Sequence, residues 1–93
     1  MDFQSFQEKI QNNLPDRLPV LLQALFYDAK GDWNKAHDLI NEMQGKDAAW
    51  VHAYLHRKEG DEANAGYWYS RAGKKFCRFS LQEEWENITK GLL

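Results

Sequence analysis

The sequence predicts an all-α domain of antiparallel helical hairpins, and three observations support that prediction. A pattern of small residue, Gly-Asp and small residue occurs twice, 29 residues apart, first as Ala24, Gly31, Asp32 and Ala36 and then as Ala53, Gly60, Asp61 and Ala65. Glycine followed by an N-cap aspartate is typical of a tight turn between two helices. Apolar residues recur at helical rather than strand-like spacing along the whole chain.

Size and charge narrow the class of protein further. Ninety-three residues with 43% apolar residues and a net charge of −2 indicate one globular domain without a basic footprint for nucleic acid. Cys77 is the single cysteine, and with no secretory leader evident we expect a reducing, cytoplasmic setting. The longest uncharged apolar stretch, Leu18 to Tyr27, is far shorter than the about 20 residues of a membrane helix. We therefore expect a soluble protein without a membrane partner.

The first half of the chain contains three predicted helices. The first covers 3–13, with Ser5 and Glu8 at capping-box spacing, and a proline break at 14–17 follows it. The second begins at Pro19, a favourable first-turn residue, and ends at the Gly31 turn. The third covers 33–44, so the first hairpin covers 19–44.

The second half predicts another hairpin and a terminal helix. We expect Asp47 to cap a fourth helix that is apolar on nearly every side in its first half and is therefore buried on more than one face. The second hairpin covers 47–73. Gly66 inside its second helix lowers helix propensity by about 1 kcal/mol relative to Ala, and we expect a packing reason for it, such as close approach of a neighbouring backbone. Ser80 and Glu83 have capping-box spacing ahead of a terminal helix over 81–92. The helices over 3–13 and 81–92 are predicted to cap the two hairpins.

The two hairpins resemble tetratricopeptide repeats. The positions that carry the resemblance are Ala24, Tyr27, Gly31, Ala36, Ile40 and Met43 in the first copy and Ala53, His56, Gly60, Ala65, Tyr69 and Ala72 in the second. The resemblance covers roughly residues 19–73 and implies a short right-handed superhelix with a concave binding surface. The period of 29 is shorter than the about 34 residues usual for that repeat, which implies a compressed link between the hairpins.

A second resemblance lies in the string HAYLHRKEGD followed by NA-x-YWY. It is similar to a small group of bacterial proteins with this signature. That resemblance implies no particular activity, but it indicates where a site should be sought.

Three histidines are the first candidate site. His52 and His56 lie four residues apart on one helix face, and His37 lies on the preceding helix, so all three can converge at one seam. The favoured interpretation is hydrogen-bonded core histidines, with no metal ligand and no cofactor. The alternative is a metal ion held between the imidazoles, which requires a further ligand.

A polar and aromatic cluster around the second turn is the other candidate, and its binding residues are His52, His56, Arg57, Asn64, Trp68 and Arg71. Two arginines beside aromatic rings suit a carboxylate or phosphate. The favoured interpretation of these arginines is a structural ion-pair network, in which Arg57 or Arg71 meets Glu59, Asp61, Asp28 or Glu62.

Two further features have simpler interpretations. Trp33, Trp50, Trp68 and Trp85 occur one per major helix, and core packing accounts for most of them, with one stripe left as a partner anchor. Lys74, Lys75 and Arg78 surround Cys77 and are expected to lower its pKa, although the sequence supplies no neighbouring base for a nucleophile.

The sequence therefore favours a non-enzymatic module that binds a protein or peptide through the face of Arg57, Asn64, Trp68 and Arg71. The alternative is a small-ligand or metal-binding site, enzymatic or not, built on His37, His52, His56 and Arg57. A homodimer formed through a leftover apolar face is a further expectation.

Overall fold

Six helices form the secondary structure of residues 1–10 and 18–93, the part of the chain that this computed structural model describes. They are α1 (Phe3–Ile10), α2 (Val20–Ala29), α3 (Trp33–Ile40), α4 (Lys46–Lys58), α5 (Glu62–Ala72) and α6 (Leu81–Leu92). No strand occurs within those residues, which confirms the all-α prediction. The predicted end of the first helix at Asn13 and the break at 14–17 lie outside the described residues.

The two Gly-Asp turns have the same backbone geometry. Gly31 and Gly60 have φ of 87° and 90°, in the left-handed region that favours glycine. The amide of the following aspartate donates to a carbonyl five residues back at 2.9 Å in both turns. Each aspartate then caps the next helix, since Asp32 accepts from the Lys35 amide at 3.1 Å and Asp61 from the Asn64 amide at 3.2 Å. The repeated Gly-Asp pattern therefore produces the same turn at both places in the chain.

The link between the hairpins differs from the prediction. α3 ends at Ile40 instead of continuing to 44, because the residues from 41 to 47 are all exposed and a further turn would bury nothing. Gly45, at φ of 106°, is the N-cap of α4, so Asp47 lies in the first turn of that helix instead of capping it.

The other two predicted caps have different outcomes. At α1, Asp2 accepts a hydrogen bond from the Ser5 amide at 2.8 Å, so the prediction that Ser5 caps this helix is wrong. At α6, the Ser80 hydroxyl accepts from the Glu83 amide at 3.1 Å, as the capping-box spacing predicts.

α4 is the central helix of the molecule. It packs against α2, α3, α5 and α6, and residues 48–56 are buried except for the half-buried Trp50. This confirms the expectation that its first half is covered on more than one face. The side chains of residues 51–56 in α4 are therefore enclosed by neighbouring helices.

α1 and α6 cover the ends of this core. The Phe3 and Phe6 rings of α1 each lie 6.0 Å from the Trp85 ring of α6. The Trp85 indole donates to the Leu25 carbonyl of α2 at 3.1 Å, which anchors α6 on the first hairpin.

Gly66 does not have the close neighbour that its place in α5 predicts. A Cβ atom added there meets no heavy atom within 4 Å outside its own helix. The expectation of a close backbone approach is therefore wrong, and nothing in the packing accounts for this glycine.

Candidate functional site

Two helices bring the three histidines together. His52 and His56 lie one turn apart on α4, and His37 faces them from α3 across the seam between the hairpins. The fully buried Ala36 and Ala53 leave room for α3, α4 and α5 to pack closely. The convergence that the sequence left open therefore occurs.

The three imidazoles are in mutual contact. Their ring centroids are separated by 4.9 Å for His37 and His52, 5.2 Å for His37 and His56, and 4.9 Å for His52 and His56. The Nε2 atoms of His37 and His52 are 3.1 Å apart. One nitrogen from each ring lies within 4.8 Å of the other two.

Two tryptophans form the walls of this histidine cluster (His37, His52 and His56). Trp33 stacks on His37 with centroids 4.9 Å apart, and Trp68 stacks on His52 at 3.9 Å. Trp33 is itself held by a hydrogen bond of 2.7 Å from its indole to the Leu55 carbonyl. These contacts restrict the rotation of two of the three imidazoles.

A carboxylate orients the third imidazole. The Nδ1 atom of His56 lies 2.7 Å from Glu59 Oε1. Because a carboxylate only accepts hydrogen bonds, Nδ1 is the donor in this contact. Between His37 and His52 one Nε2 donates and the other accepts, so this contact involves a neutral ring.

Burial and mutual repulsion lower the pKa values of two of the three histidines. Desolvation, followed by the neighbouring His37 and His56, lowers the pKa of His52 to about 4. Desolvation and His56 also lower the pKa of His37. Since His52 is 3% exposed and His37 is only half-buried, the cluster reaches solvent beside His37.

Arg57 was predicted both in the binding set and in the alternative metal site, but its guanidinium binds other groups. Its Nη1 donates to Glu84 Oε1 at 2.9 Å and its Nη2 donates to the Phe79 carbonyl. Sequence reasoning expected a network partner among Glu59, Asp61, Asp28 and Glu62, and that expectation is wrong for Arg57. The arginine connects α4 to α6 instead of joining the histidines.

Asn64 and Arg71 have different surroundings. The Asn64 side-chain amide donates to Asp61 Oδ2 at 2.7 Å, so it supports the cap of α5. The Arg71 guanidinium lies over Trp68 at 5.5 Å and donates to the Tyr67 hydroxyl at 2.9 Å. The structure therefore joins His52, His56 and Trp68 in one site, with Arg71 at its aromatic edge.

Two carboxylates are buried, of which sequence reasoning missed Glu84 and expected Asp28 only as an ion-pair partner of an arginine. Glu84 accepts hydrogen bonds from Trp50, Arg57 and Tyr69, and Asp28 accepts from Tyr54 and Lys58. A signal was present for Glu84, because it lies on the apolar stripe of Leu81, Trp85 and Ile88.

Cys77 also differs from its predicted chemistry. Burial raises the pKa of its thiol, and this outweighs the nearby Arg57. The expected lowering by Lys74, Lys75 and Arg78 is therefore wrong.

Comparison of the chain with protein-family profiles, with curated proteins and with solved structures found no match. Among the described residues, no helix is both long enough and apolar enough to cross a bilayer.

Proposed function

We propose that this protein binds a divalent transition-metal ion, zinc foremost, through His37, His52 and His56. The observation that supports the proposal best is the convergence of three imidazoles from two helices. With zinc–nitrogen bonds of about 2.0–2.1 Å, two ligands of a tetrahedral ion lie about 3.3 Å apart. The Nε2 atoms of His37 and His52 are separated by 3.1 Å, so an ion replaces their hydrogen bond with little movement.

The surroundings of the cluster support the same proposal. A metal-bound histidine usually donates its other ring N–H to a carboxylate or carbonyl, and His56 already does so to Glu59. The lowered pKa values of His37 and His52 mean that these ligands need not lose a proton at neutral pH. The solvent-facing side at His37 leaves a fourth position for water or a small ligand.

The donor type selects the class of metal. Imidazole nitrogens suit Zn²⁺, Cu²⁺, Ni²⁺ and Co²⁺, whereas Mg²⁺ and Ca²⁺ prefer oxygen ligands. We further propose that the helices form a short right-handed, tetratricopeptide-like superhelix, with this site at the seam between its two hairpins.

Cobalt spectroscopy tests this proposal. Tag-free protein titrated with Co²⁺ should develop visible absorption bands of a tetrahedral nitrogen site at one ion per chain, and Zn²⁺ should displace them. His37→Phe keeps a ring against Trp33 but removes one ligand, and it should weaken Zn²⁺ binding about 100-fold.

The controls separate the ligands from the fold. Cys77→Ser should bind Co²⁺ like the native chain, which excludes the thiol as a ligand. Circular dichroism should show the same helix content in both variants. Binding by His37→Phe at native affinity, or no metal binding by the native chain, would contradict the proposal.

A second candidate function is the binding of a peptide carboxylate, and Arg71 is the observation that favours it. Its guanidinium lies against Tyr67 and Trp68, and no carboxylate pairs with it among residues 1–10 and 18–93. A groove of about 420 Å³ beside it runs between α5 and the link from 41 to 46. A protein or peptide partner with a free carboxylate suits this groove.

Peptide selection tests the second candidate. Selection from a library of peptides with free carboxyl termini should yield binders whose amidated forms bind at least about tenfold more weakly. Arg71→Gln should abolish the difference, whereas Lys35→Gln, which removes an exposed cation from the first hairpin, should not. Equal binding of free and amidated peptides would reject this candidate.

A further inference from the structure

An apolar cavity lies on the opposite side of α4 from the α3 seam, beside the connector between α5 and α6. Its volume is about 350 Å³, within the range of small-ligand sites. Aromatic rings of Trp50, Tyr69, Phe76 and Phe79 line it, together with the thiol of Cys77. None of the three histidines contributes to it, so it is separate from the proposed metal site.

Three cations stand around this cavity. Lys74 Nζ lies 3.9 Å from the centroid of the Trp50 ring, and the Arg78 guanidinium lies 4.9 Å from that of Phe76. Lys75 also lines the cavity. Within the part of the chain that the structure describes, no carboxylate forms an ion pair with any of the three.

The acidic group in the cavity wall does not neutralise these cations. Glu84 is 1% exposed, and its charge is paired with Arg57 at 2.9 Å. Trp50 and Tyr69 also donate to it, so both of its oxygens are occupied. The cavity therefore combines an apolar interior with a net positive entrance.

We infer that this cavity binds a small amphiphilic carboxylate, whose apolar part fills the aromatic interior while its anionic group pairs with Lys74 and Arg78. Removal of the tail from water provides the affinity, and the cations provide the selectivity for an anionic head group. Cations held over aromatic faces are already positioned at the entrance, which reduces the entropy lost when the carboxylate binds.

Decanoate and decanol form a matched pair of probes for this site. Isothermal titration in the presence of EDTA, at concentrations below micelle formation, should show one decanoate per chain. Decanol has the same tail without the charge and should bind about tenfold more weakly. Equal affinities for the two probes, or no decanoate binding, would overturn the inference.

The double variant Lys74→Gln/Arg78→Gln should weaken decanoate binding about tenfold and leave decanol binding unchanged. Lys9→Gln/Lys35→Gln alters the net charge equally at exposed positions away from the cavity and should bind decanoate like the native chain. An equal loss in both double variants would show that overall charge, not this site, attracts the ligand.

Cys77 reports the location directly because it is the single cysteine of the chain. Decanoate should slow alkylation of this thiol by iodoacetamide at least fivefold, and decanol at the same concentration should slow it less. Unchanged alkylation in saturating decanoate would place the ligand elsewhere and overturn the inference. Binding only to phosphatidylglycerol vesicles would overturn it as well, in favour of a membrane surface.

Discussion

The two hairpins have turns of the same backbone geometry but carry different side chains. Their turns match in glycine φ, in aspartate capping and in backbone hydrogen bonds. Positions that correspond across the 29-residue repeat nevertheless carry different chemistry, because Gln23 corresponds to His52 and Asp28 to Arg57. The backbone of a helical hairpin thus tolerates very different side chains, and the proposed metal site arises where the two copies meet.

The largest difference between the hairpins should appear at Asp28 and Arg57. Arg57→Ala leaves Glu84 buried without its counter-charge and should lower the free energy of unfolding by about 3–5 kcal/mol. Asp28→Ala removes the partner of Lys58 and of the Tyr54 hydroxyl. Because Lys58 is exposed enough to become solvated, this variant should lower the free energy of unfolding by only about 1–3 kcal/mol. Urea unfolding of both variants measures the difference, and a larger loss for Asp28→Ala would contradict this account.

The histidine cluster should make the metal-free protein sensitive to acid. The pKa of His52 is about 4 in the folded chain and about 6.5 when unfolded. Below pH 6.5 the unfolded state therefore binds more protons, and the free energy of unfolding should fall by about 2–3 kcal/mol between pH 6.5 and pH 4.

Urea unfolding in EDTA across that range measures this loss. The variant His52→Gln has glutamine at position 52, as the first hairpin has at the corresponding position 23. It should remove much of the pH dependence of the free energy of unfolding. An unchanged slope in this variant would assign the acid sensitivity to other groups.

The two turn glycines should respond alike to substitution. Gly31→Ala and Gly60→Ala each place a Cβ in a left-handed backbone, and each should cost about 1–2 kcal/mol. Neither added Cβ meets a neighbour within 4 Å, so backbone strain alone sets the cost. Thermal unfolding should give losses that agree within about 0.5 kcal/mol, and a clear inequality would mean that the turns are not equivalent.

The smallest expected effect is a gain in stability at Gly66, which corresponds to His37 in the first hairpin. Gly66→Ala adds a Cβ into open space in the interior of a helix and should stabilise the fold by about 0.5–1 kcal/mol. A destabilised variant in the same thermal assay would show that Gly66 has a packing role after all.

The sequence was most informative about backbone features with strong local causes. Gly31, Gly60 and the aspartates that follow them predicted the turns, because left-handed backbone and N-cap hydrogen bonds depend on a few adjacent residues. Helix ends without such residues were less predictable. The early end of α3 at Ile40 depends on which residues find a partner to bury them, and that is a tertiary property.

The candidate site was predictable to a similar extent. Spacing on α4 placed His52 and His56 on one face, and the repeat placed His37 opposite them. The partner of Arg57 was not predictable, because Glu84 lies 27 residues away on α6. Charge alone made nearby acidic residues plausible partners, and only the packing of α6 on α4 selects the buried one.

The contact between α1 and α6 joins residues that are synthesised at different times. Trp85, whose ring packs against Phe3 and Phe6, follows Phe3 by 82 residues. At about 5–20 residues per second, the interval is roughly 4–16 s. During that time both phenylalanines lack this partner, so synthesis of α6 is the event that covers this part of the core.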